Sequence, residues 1–473
     1  MRFDYYTEEQ LQQVHEASLD LLKKVGISTS SERFRTLLLD HGCVEKGNRI
    51  LFTQDVIDKG MKTVPPVFNL HGRNNGPVLE IGKKKGYCQT LVGAPSVIDL
   101  ESGVRRDCMV QDLADITRLA DALENVDIIS PLFPRDVPQE IILTMETAVC
   151  LRNTSKPLSI CVESSRELQF IKELLIAVAG SEEALREKPL ATLPVSPVSP
   201  LEYGFDPAEA LLDVVAAGLP LGVEPCPQMG ATGPMSMNGL VAMHNAEILA
   251  GVIAAQLYQP GCPLTMSSRA TFMDMRSGLG LWAMPEMGMM SAGLNQLGRY
   301  YQIPVAPGGY CGSSKVADMQ SAYEHLYNAL MEGLAGSDII GSAGSLDNAL
   351  ISCYVMLVVD DELSSVVKRT IKEIEVNADN LAVDVVAEVI ENQDNFLGHK
   401  HTRKYLRSGE LWKPGISQRQ TFEKWAQQGQ KLEDVAKEKA AYLLATHQSA
   451  PLSSEIENEF DKILASAKKA LME

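Results

Sequence analysis

The chain lacks the signatures of several common chemistries. It has no GxxxxGK(S/T) phosphate loop, no HExxH helix and no GxSxG elbow, which removes the support for an ATPase, a zinc protease or a serine hydrolase. The nearest approach to a dinucleotide fingerprint, Gly278-Leu279-Gly280, lacks a third glycine and a suitable preceding strand, and reads as a loop. No two of the nine cysteines form a CxxC pair, so neither a disulfide framework nor a zinc knuckle is suggested; they read as reduced, mostly buried small hydrophobes. His399 and His401 have no Cys or acid at ligand spacing, and no metal site is assigned. Positive charge is scarce. The 43 Lys and Arg against 61 Asp and Glu leave a net charge of -18, which argues against a nucleic-acid partner, because phosphate neutralisation needs cations. No run of 18 or more apolar residues occurs, and MRFDYYTEEQLQQ resembles neither a signal nor a transit peptide. No membrane partner is therefore expected, and cytoplasmic residence is the default.

What is present is an ordinary globular composition, 45% hydrophobic and 22% charged, over 473 residues. Residues 1–86 read as a small α+β cap, with helical patterns over Glu8–Val25 and Ser31–Asp40, short strands near Val67 and Val78, and turn chemistry in Gly-Arg-Asn-Asn-Gly at 72–76. An alternation of short apolar runs and helix-period segments follows. The expected strands are Cys88–Val92, Ile128–Phe133, Leu158–Val162, Ala191–Val195, Leu221–Glu224, Leu264–Ser267, Pro304–Pro307 and Ile339–Ser342, eight in all. A hairpin is expected around Leu100–Gly103. Eight strand-helix units match a closed parallel barrel better than an open sheet, so the expected fold is α/β, a (β/α)8 TIM barrel over 87–395. Residues 396–473 form a C-terminal helical extension, irregular over Phe396–Pro414 and ending in an amphipathic helix, Phe460–Leu471, that can pack on the body or on another subunit. Leu363–Ile390 reads as helix.

In such a barrel the chemistry lies in the loops after the strands. Those loops carry Glu163, then Tyr203 and Phe205, then Glu224, then Arg269 and Arg276, and after the seventh strand Tyr310 within Gly309–Lys315. Aromatic rings, a few carboxylates and two arginines suit a small ligand with a cationic head and an anionic tail. Ring faces attract a quaternary ammonium that has no hydrogen to donate, and Arg grips a carboxylate through two parallel bonds. A betaine has that form. Taken singly, each of these residues can equally be a local cap, a local ion pair or a ring closing the barrel end.

Longer stretches carry a more specific signal. GAPSVIDLESGVRRD, DLADITRLADALENVD, PQMGATGPMSMNG, NAEILAGVIAAQL, DMRSG and GGYCGSSKVADMQSAYE, spread from Gly93 to Gly344, resemble the trimethylamine methyltransferase superfamily, in its branch without pyrrolysine. The resemblance implies a (β/α)8 barrel, methyl transfer to a Co(I) corrinoid, and a cognate corrinoid protein docking over the barrel mouth. The chain departs from the trimethylamine enzymes in containing only standard residues. Gly312, in a loop similar to the one that holds pyrrolysine, is the loose candidate for that position. A quaternary amine such as glycine betaine, proline betaine or carnitine is therefore the implied methyl donor. No DxHxxG cobalamin motif occurs, so the corrinoid is expected on the partner, with Asn245, Ser313 and Asp347 as contacts. Self-association is expected from the helical tail and the family habit. The competing readings are a methyltransferase for a tertiary amine or thioether, and a non-catalytic betaine-binding protein.

Overall fold

The computed structural model describes residues 3–283 and 285–472. Met1, Arg2 and Glu473 lie outside the described residues, and with them the outer ends of the expected cap and extension. The first helix, α1 (Glu8–Lys24), starts at Thr7, whose hydroxyl accepts from Gln10 N while the Gln10 side chain accepts from Thr7 N. This reciprocal cap satisfies two amides that a helix start otherwise leaves open. A second helix, α2 (Glu32–Asp40), is capped by Ser31. Both turn their apolar sides onto α5, the helix Met237–Tyr258. That 22-residue helix is long and apolar enough to cross a membrane by length and composition, but it is buried throughout within the fold. The hairpin of Phe68–His71 with Val78–Ile81 sets Leu70, Leu79 and Ile81 against Tyr87, Ile128 and Ile339, one residue from each of three parallel strands.

Those strands are β1 (Tyr87–Thr90), β2 (Val126–Ile128), β3 (Leu158–Ser159), β4 (Ala191–Val195), β5 (Leu221–Val223), β6 (Leu264–Met266) and β7 (Ile339–Ala343). One parallel sheet runs β7-β1-β2, another β3-β4-β5-β6, and a parallel bridge from Ile129 to Leu158 connects them. β4, β5, β6 and β7 are buried at every position, as expected of strands covered on both faces. The expected seventh strand is reduced to one parallel bridge between Met266 and Val305. Pro304 and Pro307 have no N–H to give to a ladder, which explains the loss.

Around the strands lie α3 (Ile142–Asn153), α4 (Ser165–Ala179), α6 (Pro285–Tyr301), α7 (Met319–Ala335) and α8 (Tyr354–Ile371). The helix after the last strand starts at Tyr354 because residues 345–353 first form a hairpin, turning through left-handed Asp347, Asn348 and Ala349. That hairpin's return strand, Ile351–Cys353, pairs with Ser96–Ile98, which in turn pairs with Arg105–Asp107 around the expected Leu100–Gly103 turn. The expected helix Leu363–Ile390 is broken: α8 ends at Ile371, and Ala378–Leu381 and Val383–Glu391 follow as separate short helices. Within the span expected to be irregular, Lys400–Arg407 is helical, started by the His399 side chain accepting from His401 N. The last helix, α9 (Ser454–Met472), buries Phe460, Ile463 and Ala467 against α4 and α3 of its own chain. Arg152 lies over the Phe460 ring and pairs with Glu457 and Asp461. The apolar side of the tail is thus used within the chain, which removes the argument from the tail to self-association.

Candidate active site

The strand ends bring a charged group into the interior. Glu224 follows β5 and Arg269 follows β6. Arg269 Nε donates to Glu224 Oε1 at 2.7 Å, with both residues buried. Burial opposes the charge on Arg269, but the neighbouring Glu224 carboxylate outweighs it, and the guanidinium pKa is raised. Its Nη1 is buried without a hydrogen-bond partner. The guanidinium lies against the backbone of the Gly308-Gly309 turn: a Cβ on Gly308 would stand 2.7 Å from Nη1. Glu332 of α7, fully buried, lies against the same turn, where a Cβ on Gly309 would stand 2.4 Å from its Oε2. The two glycines are needed here for space, since a side chain would collide with the Arg269 guanidinium or the Glu332 carboxyl. Burial pushes the Glu332 carboxyl up to about 8, against the pull of Ser291 and Arg269. Near neutral pH it is therefore mostly a neutral acid.

Beyond this turn the chain enters the loop 309–315, which is held from several sides. Ser313 N and Ser314 N donate to Glu324 Oε2 at 2.8 and 3.3 Å, and Ser313 Oγ donates to Asn348 Oδ1 at 2.8 Å. Asp347 N donates to Ser314 O and Asn348 N to Gly312 O, while Lys315 pairs with Asp347 at 3.0 Å. Gly312 is buried, and a Cβ there would meet Glu324 Oε2 at 2.9 Å and the His325 ring at 3.0 Å. His325 Nδ1 is 2.9 Å from Asp360 Oδ1, and Asp360 Oδ2 accepts from Gly344 N. Burial raises the Asp360 carboxyl, with His325 opposing.

The structure thus brings Glu224 together with Arg269, and Gly312 with Ser313 and Asp347. Glu163 is exposed after β3 and lines a cavity of about 350 Å3 with Phe133 and Glu167. Of the five other expected site residues, three are taken up within the fold and two are exposed. The Tyr203 ring stacks on Phe34 at 5.2 Å and its hydroxyl donates to Glu247 O at 2.8 Å, so the side chain is fixed between α2 and α5. The loop after β4 carries it outward, where Glu202–Tyr203 pairs with Ser28–Thr29. Asn245, inside α5, donates to Tyr301 Oη and is fully buried, so it cannot touch a docked corrinoid. Tyr310 is fully buried with Cys88, Asp127 and Asp360 as neighbours, which puts its ring in the wall rather than in the open end. Arg276 is exposed in a turn whose Asp274 accepts from Arg276 N, and Phe205 is exposed at the first residue of the helix Phe205–Ala216.

Glu324, His325, Asp360 and Glu332 escaped the sequence reading. A signal was available. Ser321, Glu324, His325, Asn328 and Glu332 recur at three- and four-residue steps, a polar stripe on one face of α7, and a polar stripe that is buried implies partners. The outward placement of Tyr203 leads to a direct expectation: Tyr203→Phe should lower stability by about 1 kcal/mol, the loss of one buried hydrogen bond, and leave turnover at the strand ends unchanged. Thermal melting and a turnover assay on the same preparation check both parts.

Comparison with known proteins accords with this geometry. Residues 1–472 match the family described as trimethylamine methyltransferase. The trimethylamine methyltransferase of Desulfitobacterium hafniense (strain DSM 10664 / DCB-2) is 29% identical over 95% of this chain and 91% of its own. That of Methanosarcina barkeri is 30% identical over 99% and 96%. The glycine betaine methyltransferase of D. hafniense (strain Y51) is 27% identical over 100% and 98%. Among solved structures, the monomethylamine methyltransferase of M. barkeri superposes with a TM-score of 0.54 at 12% identity, covering 98% of this chain and 88% of that one. At that identity the superposition speaks for an α/β fold alone. With the whole described chain inside the family match, this protein is a methyltransferase belonging to the trimethylamine methyltransferase family.

Proposed function

We propose that this methyltransferase takes a methyl group from a small quaternary amine and passes it to the Co(I) corrinoid of a separate protein. The observation that carries this reading is the crowding at Gly312. A Cβ there would stand 2.9 Å from Glu324 Oε2 and 3.0 Å from the His325 ring, so a side chain could enter only if those two shifted, and glycine leaves the position without an electrophile. The methyl donor must then arrive with nitrogen already cationic, as a betaine does. The relative named as a glycine betaine methyltransferase, aligned over the full chain, supports the same substrate class.

The same proposal closes the eight parallel segments into one (β/α)8 barrel over 87–395. Its support is the pair of main-chain bonds from Asp338 N to Val305 O and from Gly341 N to Pro307 O, which join the Val305 segment to β7. The cap, 1–86, and the C-terminal extension, 396–473, are then additions to that barrel.

The corrinoid supplies the nucleophile, and the chain's own groups do the positioning. Arg269, fixed by Glu224, has Nη1 left for a substrate carboxylate. The neutral acid of Glu332 keeps a second negative charge away from that carboxylate. Holding the substrate in one pose and excluding water are the main contributions such a site can make. Around the strand ends Met235, Met275, Leu279, Met319, Tyr323 and Leu350 are all at least half exposed or nearly so, an apolar rim suited to a protein partner. Ser313 and Asp347 stand beside it.

The test mixes the protein with a Co(I)-loaded cognate corrinoid protein and a panel of betaines, tertiary amines and thioethers without oxygen, following the visible spectrum. Conversion to methyl-Co(III) with a betaine alone is the expected result. Conversion with only a tertiary amine or thioether would replace the substrate class, and betaine binding without conversion would leave a binding protein.

A further inference from the structure

We propose that the cavity between the ends of β2 and β3 is a binding site for a small alkylated ammonium ion, distinct from the Glu224–Arg269 pair. It rests on the methyl-transfer reading only for its natural occupant, the amine before or after loss of a methyl group.

The cavity encloses about 350 Å3, at the lower end of the roughly 300–1,000 Å3 of small-molecule sites. Its walls divide by chemistry. Phe133, Val137, Ile142 and Leu143 form the apolar side, and Glu163 and Glu167 the acidic side. Arg135 lines it as well, exposed to solvent, where it can meet an anionic tail. The Phe133 ring lies over Gly93, where a Cβ would meet it in ordinary van der Waals contact, so glycine is favoured there by its φ of +73° rather than by space.

A third carboxyl lies beneath. Gln139, Ile142 and Leu143 line the cavity, and Glu146 continues their spacing on the same helix face, one turn further in. It is 1% exposed, and its Oε2 has no hydrogen-bond partner. Burial, then Glu167, then Glu163 push its carboxyl well above the ordinary range. Glu167, which accepts from Thr144 N and Oγ1 through one oxygen, is raised by burial to about 7. Glu163 and Glu167 thus line a half-enclosed space in which Arg135 is the one cation among the described lining residues, with Glu146 buried behind them. A positive ligand beside Glu163 favours the ionised form of Glu167, so the raised carboxyl gives up its proton as the ligand binds.

The apolar side selects the kind of cation. N-methyl groups fill the space against Phe133, Ile142 and Leu143, and the ring face attracts the charge they carry. An inorganic cation gains nothing from that wall and asks for six or more oxygen ligands instead. The half-buried thiol of Cys161 is raised by burial and next by Glu224 and Glu163, so it stands within electrostatic reach of a carboxyl from each place.

Calorimetric titration of the purified chain with tetramethylammonium, in a buffer of fixed sodium concentration and without any corrinoid protein, tests this. Saturable binding is expected, weakened at least tenfold in Glu163→Gln with Glu167→Gln, and measurably in Glu163→Gln alone, where an exposed side chain changes and folding is not at risk. Proton contacts between the ligand N-methyl groups and the Phe133 ring should appear in the nuclear Overhauser spectrum. Wild-type affinity in the double variant, equal competition by sodium, or absence of the Phe133 contacts would overturn the proposal. Because binding is read without methyl transfer, its failure stays separate from a failure of the catalytic reading.

Discussion

Arg269→Ala should cost on the order of 3–5 kcal/mol of folding stability and reduce methyl transfer by about a hundredfold or more. The stability loss arises because Glu224 would remain buried with its partner gone, 2.7 Å of charge-assisted contact replaced by nothing. The functional loss arises because the unpartnered Nη1 is the donor proposed to hold the substrate carboxylate. Two further variants separate these effects. Arg269→Lys keeps a charge but gives up the planar fork, so stability should recover partly and turnover hardly at all. Arg269→Met combined with Glu224→Met removes both charges, and a buried pair exchanged for apolar volume is often neutral or stabilising. Urea unfolding of the double variant should lie near wild type while methyl transfer stays absent. Near-wild-type turnover in Arg269→Ala would remove the pair from the site.

The second large effect concerns pH. Glu332 is raised from 4.5 to about 8 by burial, so the folded state holds a proton that the unfolded state gives up near 4.5. A carboxyl raised on folding contributes stability that is fully present below pH 4.5 and is lost as pH rises toward and through about 8. The loss for a shift of this size is on the order of 4 kcal/mol. Glu167, raised to about 7, adds a loss of the same sign ending about one unit earlier. Wild type should therefore melt at a clearly lower temperature at pH 8 than at pH 5, and Glu332→Gln should flatten the decline between those two values. An unchanged pH profile in Glu332→Gln would mean that its carboxyl is ionised and paired in the folded protein. The same variant tests the active-site reading, because a permanently neutral side chain should keep methyl transfer active at alkaline pH where the wild type falls.

Much of the fold could be read along the chain, for reasons visible in particular elements. Ala191–Val195 is found with the bounds expected, because a short run that is apolar but for one threonine suits a strand buried at every position. The C-terminal region was harder. Leu363–Ile390 has a continuous helical pattern, yet Lys372 caps one helix and residues 372–377 separate it from the next. Val383, Ile390 and their neighbours are largely exposed, so no core burial holds that pattern in a single helix.

The candidate site was legible in kind and less so in place. Glu224 meets Arg269, and Gly312 and Ser313 lie with Asp347, because each follows a strand directly or within a tightly bonded loop. Tyr203 and Tyr310 also follow strands, but an aromatic ring spans several ångströms, and the loop backbone decides which side of the wall it enters. Tyr203 is turned out to Phe34 and Tyr310 in toward Asp360. Asn245 lies mid-helix, where one step of a hundred degrees decides between the strand ends and the buried contact with Tyr301.

By itself, then, the sequence determined the alternation of strands and helices, the helix starts at Thr7 and Ser31, and the residue types gathered after the strands, because periodicity, capping and turn chemistry act over a few neighbouring residues. Only the tertiary structure decided that Arg269 has Glu224 as its partner, that Gly312 lies against Glu324 and His325, and that burial pushes the carboxyls of Glu332 and Glu146 up. Those outcomes depend on burial and on charges brought together from segments tens to hundreds of residues apart, and desolvation and Coulomb forces act through space rather than along the chain.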